Sequence, residues 1–158
     1  MPTPTGTRIA DAHRFVTEIS ELAQKVRKTE VGKVTGAAST SIDELLLTAD
    51  QLLSDPSVEA SAAGRHRGAS LALRTALEIA VDRTLDAGMP GLAGITTRAK
   101  MLCPRFCTAA TTARRANAVW SHLCLGCHYH QYEIGPTRDQ VHSWHAEVSE
   151  MVGELASY

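Results

Sequence analysis

From Ser41 to the C-terminus the apolar residues of this chain recur mostly every three or four positions, and strand-like alternation is hard to find. The run Ala69, Leu73, Ala76, Leu77, Ala80 and Leu85 is the longest example, and that spacing places all six side chains on one face of a helix. A half-buried strand would need apolar residues at every second position, so the rhythm favours helices over a β-sandwich. Composition agrees, because 44% of the residues are hydrophobic but only 4% are aromatic, and alanine and leucine suit close-packed helices better than strands. A length of 158 residues allows one compact domain with a real core and is short for two.

Start and stop signals divide the rhythm. Ser41 with Glu44 forms a capping box ahead of Leu45, Leu46, Leu47, Ala49, Leu52 and Leu53, in which each side chain accepts the other's orphan backbone N–H. That helix is expected to end near Ser54. Asp55 followed by Pro56 reads as a second start, and Gly88, Pro90 and Gly91 as the stop. Residues 91–107 read as a connector with one short helix over Thr97 to Leu102, since Pro104 biases Cys103 away from helical geometry. A helix from Thr108 to Glu133 follows, with Ala116, Trp120, Leu123, Cys127, His130 and Ile134 along one face. Thr137 and Gln140 form a second capping box for a last helix whose Val141, Trp144, His145, Val148, Val152 and Leu155 turn inward. Further upstream, Ile9, Ala12, Val16, Ile19, Ala23 and Val26 predict an amphipathic N-terminal helix. The expected fold is all-α: an up-and-down bundle of four main helices over residues 41–158, organised around the helix bearing residues 114–136. An additional N-terminal helix and linker occupy residues 8–40, a loose tail residues 1–7, and the connector helix completes the set.

The net charge of −1 conceals an uneven distribution, because no Asp or Glu lies between Asp86 and Glu133 while Arg98, Lys100, Arg105, Arg114 and Arg115 do. Such a block creates a local positive potential, unless acidic residues elsewhere fold against it. Arg65, His66 and Arg67 read as a solvated patch that extends the basic surface if its helix packs beside the later one. The N-terminal stretch lacks the charged and apolar regions of an export signal, and no apolar run approaches the roughly 20 residues of a membrane span. A cytoplasmic protein with no membrane partner is expected, and in a reducing compartment four cysteines are free or metal-bound rather than paired.

Cys103 and Cys107 followed by Cys124, Cys127 and His128 are candidate ligands for a structural zinc ion, since thiolate and imidazole suit a tetrahedral site. The alternative is that these thiols are buried core groups and no cofactor is bound. Cys124-Leu125-Gly126-Cys127-His128 also matches the pattern of covalent haem attachment, although that chemistry requires export. Trp120 and Trp144 are expected to be core anchors, and His142 and His145 partly buried helix residues.

The remaining chemistry lies in arginine–histidine pairs. Arg115 and His122 are seven residues apart, about 20° short of two helical turns and about 10 Å apart along the axis. Arg8 with His13 and Arg138 with His145 have comparable spacing. Arg115 and His122 are favoured because they sit inside the acid-free block, where a guanidinium can hold a phosphate and an imidazole can give and take a proton.

With these residues the stretch from Ser41 to Leu155 resembles the HEPN superfamily of helical bundles. The resemblance is carried by the ELLLTADQLL helix, the ALRTALEIAVDRTL helix and a later helix with Arg followed by His. It implies metal-independent RNA cleavage in a toxin–antitoxin or phage-defence setting. It also implies a homodimer whose shared site uses His122 for protons and Arg115 for the scissile phosphate, with Arg98, Lys100, Arg105 and Arg114 as further RNA contacts. Ala116 and Asn117 follow Arg115 where that family often has a polar residue directly after the arginine. The apolar drive for a dimer is expected from Trp120, Leu123 and Tyr129 where the core does not consume them. The competing expectation is a non-catalytic helical module that binds a protein partner, with or without zinc.

Overall fold

The computed structural model describes residues 41–55, 60–92, 94–128 and 135–158. Among these residues the regular structure is entirely helical, in five α-helices and one 3₁₀ turn. We number the α-helices α1 (Ile42–Ser54), α2 (Ala62–Gly88), α3 (Thr97–Lys100), α4 (Ala110–His128) and α5 (Arg138–Leu155), with the 3₁₀ turn at Pro104–Phe106 between α3 and α4. The stretches 8–28 and 129–134, including Arg8, His13, Tyr129 and the last turn expected for α4, lie outside the described residues.

Both capping boxes form. The Glu44 amide donates to Ser41 Oγ at 3.1 Å while the Ser41 amide donates to Glu44 Oε2 at 2.8 Å, and the Gln140 amide donates to Thr137 Oγ1 at 3.2 Å while the Thr137 amide donates to Gln140 Oε1 at 2.8 Å. The start of the long helix differs from the sequence expectation. Asp55 closes α1 in an extended conformation, with its own N–H returning to the Gln51 carbonyl, as suits a residue ahead of proline. The cap of α2 is instead Ser61, whose Oγ accepts from the Gly64 amide at 3.1 Å. The connector helix is also shorter than expected: Thr96 caps it, and the Cys103 amide donates to the Lys100 carbonyl in the tighter turn that leads into Pro104.

The organising element is α2 rather than α4. Helix α2 packs against α1, α4 and α5 and also touches the short α3. The reason lies in its small residues. Ala69, Ala72, Ala76 and Ala80 are buried with Leu73, Leu77, Val81 and Leu85, and short side chains allow three neighbours to approach one axis. Ile42, Ala49 and Leu53 from α1, Ala116, Val119 and Leu123 from α4, and Val141, Val148, Met151 and Leu155 from α5 complete one continuous core.

At Gly126 both α2 and α5 press against α4. A Cβ there would lie 2.9 Å from Ser70 Oγ of α2 and 2.9 Å from Trp144 Cζ3 of α5, closer than carbon can sit without displacing a neighbour. His145 is fixed as well, with Nε2 3.1 Å from the Leu46 carbonyl of α1. The expectation that it faces inward therefore holds, as a backbone contact rather than an apolar one.

Candidate functional site on the fourth helix

Helix α4 presents three different flanks. Its core side carries Ala113, Ala116, Val119, Leu123 and Cys127. Toward α2, Trp120 Nε1 donates to Glu78 Oε1 at 2.8 Å. The same carboxylate oxygen lies 3.4 Å from Arg74 Nε, an ion pair without hydrogen-bond alignment, and Arg74 Nη1 lies 3.1 Å from His128 Nε2. Because a guanidinium only donates, that histidine nitrogen must be the unprotonated acceptor. Arg67 Nε donates to the Cys127 carbonyl at 2.9 Å and His66 Nδ1 lies 3.0 Å from the Pro136 carbonyl. The supposed solvated patch at residues 65–67 therefore holds the end of α4 and the approach to α5.

Toward α5 lie both members of the favoured pair. Arg115 Nη1 donates to Glu154 Oε2 at 3.0 Å and Nη2 donates to Glu150 Oε2 at 2.8 Å, although the arginine side chain keeps 44% of its surface exposed. The other oxygen of Glu154 accepts from the buried Thr112 hydroxyl at 2.6 Å, and the Tyr158 hydroxyl lies 3.4 Å from that same hydroxyl. His122 is exposed, with its ring stacked on Trp144 of α5 at 6.3 Å between centroids and 16° between planes. Sequence reasoning missed the two glutamates. They stand 35 and 39 residues beyond Arg115, and no local signal connects them.

The other basic residues divide by partner. Lys100 Nζ lies 2.8 Å from Asp82 Oδ2 of α2, so an acid outside the acid-free block neutralises it. Arg98, Arg105 and Arg114 are exposed and make no ion pair among the described residues; Arg105 lies over the Phe106 ring at 4.7 Å. They occupy α3, the 3₁₀ turn and the first turns of α4.

The cysteines are drawn to two separate places. Cys107 meets α2 at Gly88, where a Cβ on the glycine would lie 2.8 Å from Cys107 Cβ, and the Cys103 thiol donates to the Ala99 carbonyl at 3.3 Å. Cys124 and Cys127 instead feel the charge of Arg74. Residues 74 and 88 are about 21 Å apart along a helix, so the fold does not assemble the four-cysteine zinc site that spacing suggested. Among the described residues no three His, Cys, Asp or Glu side chains gather as metal ligands. Burial pushes all four thiols above the usual thiol range, with Arg105 opposing it at Cys103 and Arg74 opposing it at Cys124 and Cys127. They are free thiols held in their protonated form.

One groove of about 380 Å³ lies between the start of α1 and the ends of α2 and α5, lined by Ile42, Arg83, Thr84, Val152, Leu155 and Tyr158 among others. Neither Arg115 nor His122 reaches it. No helix among the described residues is long and apolar enough to cross a membrane. Compared with known proteins, the chain matches no protein-family model, no curated protein and no solved structure.

Proposed function

We propose that this chain is a HEPN-like RNA-binding protein of the cytoplasm, an up-and-down helical bundle acting as a homodimer in a toxin–antitoxin or phage-defence setting, with Arg115 and His122 as its cleavage pair. One observation carries the reading. Arg115 and His122 emerge on the same flank of α4 beside α5, while Arg98, Arg105 and Arg114 stand exposed without carboxylate partners among the described residues. Arginines without carboxylate partners are available to phosphates, and the imidazole of His122 supplies proton transfer.

In the proposed reaction His122 takes the proton from a ribose 2′-hydroxyl, and the 2′-oxygen attacks the adjacent phosphorus. Arg115 holds the phosphate oxygens as negative charge builds. The bond from phosphorus to the 5′-oxygen breaks, and the partner copy's histidine protonates the leaving oxygen, giving a 2′,3′-cyclic phosphate and a free 5′-hydroxyl. The apolar drive for pairing cannot come from Leu123, which is fully buried, or readily from Trp120, which is half-buried and bonded to Glu78. Leu125, 71% exposed on the outer face of α4, takes that role.

The test is fluorescence anisotropy of a labelled single-stranded RNA against the full chain over a range of salt. The triple variant R98A/R105A/R114A should lose most binding and flatten the log–log salt slope by about 2, from roughly 0.7 per phosphate contact. No binding by the unaltered protein at micromolar concentration, or an unchanged triple variant, would overturn the reading. The alternative, a protein-interaction module, is favoured by Leu47 at 58% exposure and Leu125; it predicts no RNA binding and loss of a copurifying partner in Leu47→Ser or Leu125→Ser.

A further inference from the structure

We infer that Glu150 and Glu154 form an internal lock on Arg115, filling with carboxylates the place that an RNA phosphate would take at the proposed site. The inference rests on that proposed function. The planar guanidinium fork recognises carboxylate and phosphate oxygens with the same pair of N–H groups, and in Arg115 both terminal nitrogens are already engaged, at 3.0 Å by Glu154 and at 2.8 Å by Glu150. With one cation facing two anions, the formal charge of the cluster is −1. A phosphodiester approaching it is repelled until a carboxylate gives way.

The two halves of the lock differ in how firmly they are held. Glu154 is anchored by the hydrogen bond from Thr112, whose side chain is fully buried. Glu150 is 66% exposed, with Arg115 as its ion-pair partner. It sits one helical turn before Glu154, so the pair brackets the guanidinium from a single face of α5. Exposed ion pairs of this kind contribute little to folding stability. Their effect falls on what Arg115 can bind. His122 rests on Trp144 of the same helix, so RNA entering between α4 and α5 meets both proposed reactive groups at one seam.

The experiment compares the full chain with Glu150→Gln, Glu154→Gln and the double variant, each with and without Arg115→Ala, by RNA anisotropy at fixed low salt. Glutamine keeps an oxygen for Thr112 to donate to and removes the charge, so the cluster changes from −1 to +1 in the double variant. Binding should tighten about tenfold, the scale of one to two exposed ion pairs, and the gain should vanish when Arg115→Ala is added. Glu150→Gln alone, at an exposed position, should give part of the gain without touching the Thr112 contact. Tightening that persists without Arg115 would mark a general charge effect and overturn the lock. Unchanged binding in the glutamine variants, with the unaltered protein still binding RNA, would overturn the lock alone. Absence of RNA binding in every variant would overturn both the lock and the proposed function.

Discussion

On the side of α4 that meets the core and α2, Leu123 and Gly126 are sealed, Trp120 spends its one donor on Glu78, and Arg67 donates to the Cys127 carbonyl. On the side that meets α5, the contacts are an exposed arginine between two glutamates and an exposed histidine lying on a tryptophan. Both seams belong to one helix. The first is built mainly on buried packing and the second on solvent-exposed polar contacts, so stability and the proposed ligand chemistry fall on different flanks of the same element.

The sharpest way to break that division is to damage the sealed side. Leu123→Ala, at a fully buried position, should lower the free energy of unfolding by about 2–5 kcal/mol, read from urea titration of the helical circular-dichroism signal. Gly126→Ala should cost about 1–3 kcal/mol as the new methyl group forces Ser70 or Trp144 aside. Trp120→Phe keeps the ring and removes the donor to Glu78, at an expected cost of about 1–2 kcal/mol. On the open side the same titration should scarcely register Glu150→Gln, with a change within about 0.5 kcal/mol. A large loss there would erase the contrast.

A pH measurement sharpens the comparison. The thiols of Cys124 and Cys127 are raised by burial on the sealed side, so the folded state holds their protons more tightly than the unfolded state does. That contribution to stability is present below the ordinary thiol pKa of about 8.5 and is lost as pH rises through and beyond it. Replacing both cysteines with serine should reduce the loss of stability between neutral and alkaline pH. An identical pH profile would show that the burial is too loose to matter.

Much of the helical layout was legible because its signals are local. Ser41 with Glu44, Thr137 with Gln140, and the run from Ala69 to Leu85 each specify structure within a few residues. The rank of the helices was not legible: histidines and cysteines drew attention to the stretch around residues 114–136, while alanines, chemically silent, made α2 the shared support. The site was legible only in part for the same reason. Spacing put Arg115 and His122 on one helix, but Glu150 and Glu154 reach Arg115 only through tertiary packing. The Cys-x-x-Cys-His pattern has a packing explanation at its centre, since a side chain at Gly126 would meet both Ser70 of α2 and Trp144 of α5, and the fold separates that pair from Cys103 and Cys107.

The central place of α2 also has a kinetic meaning. A helix that touches every other one cannot be added last, because α1, α4 and α5 lack most of their buried contacts without it. Its partnership with α1 spans little sequence, so that pairing closes the smallest loop and carries the least entropic delay, whereas α5 must return over about 70 residues to reach the same surface, as in the 71-residue step from Thr84 to Leu155. Truncating Leu73 or Leu77 should therefore slow refolding in step with the stability lost, with φ-values toward 1. Truncating Val148 or Met151 should leave the refolding rate nearly intact and hasten unfolding instead.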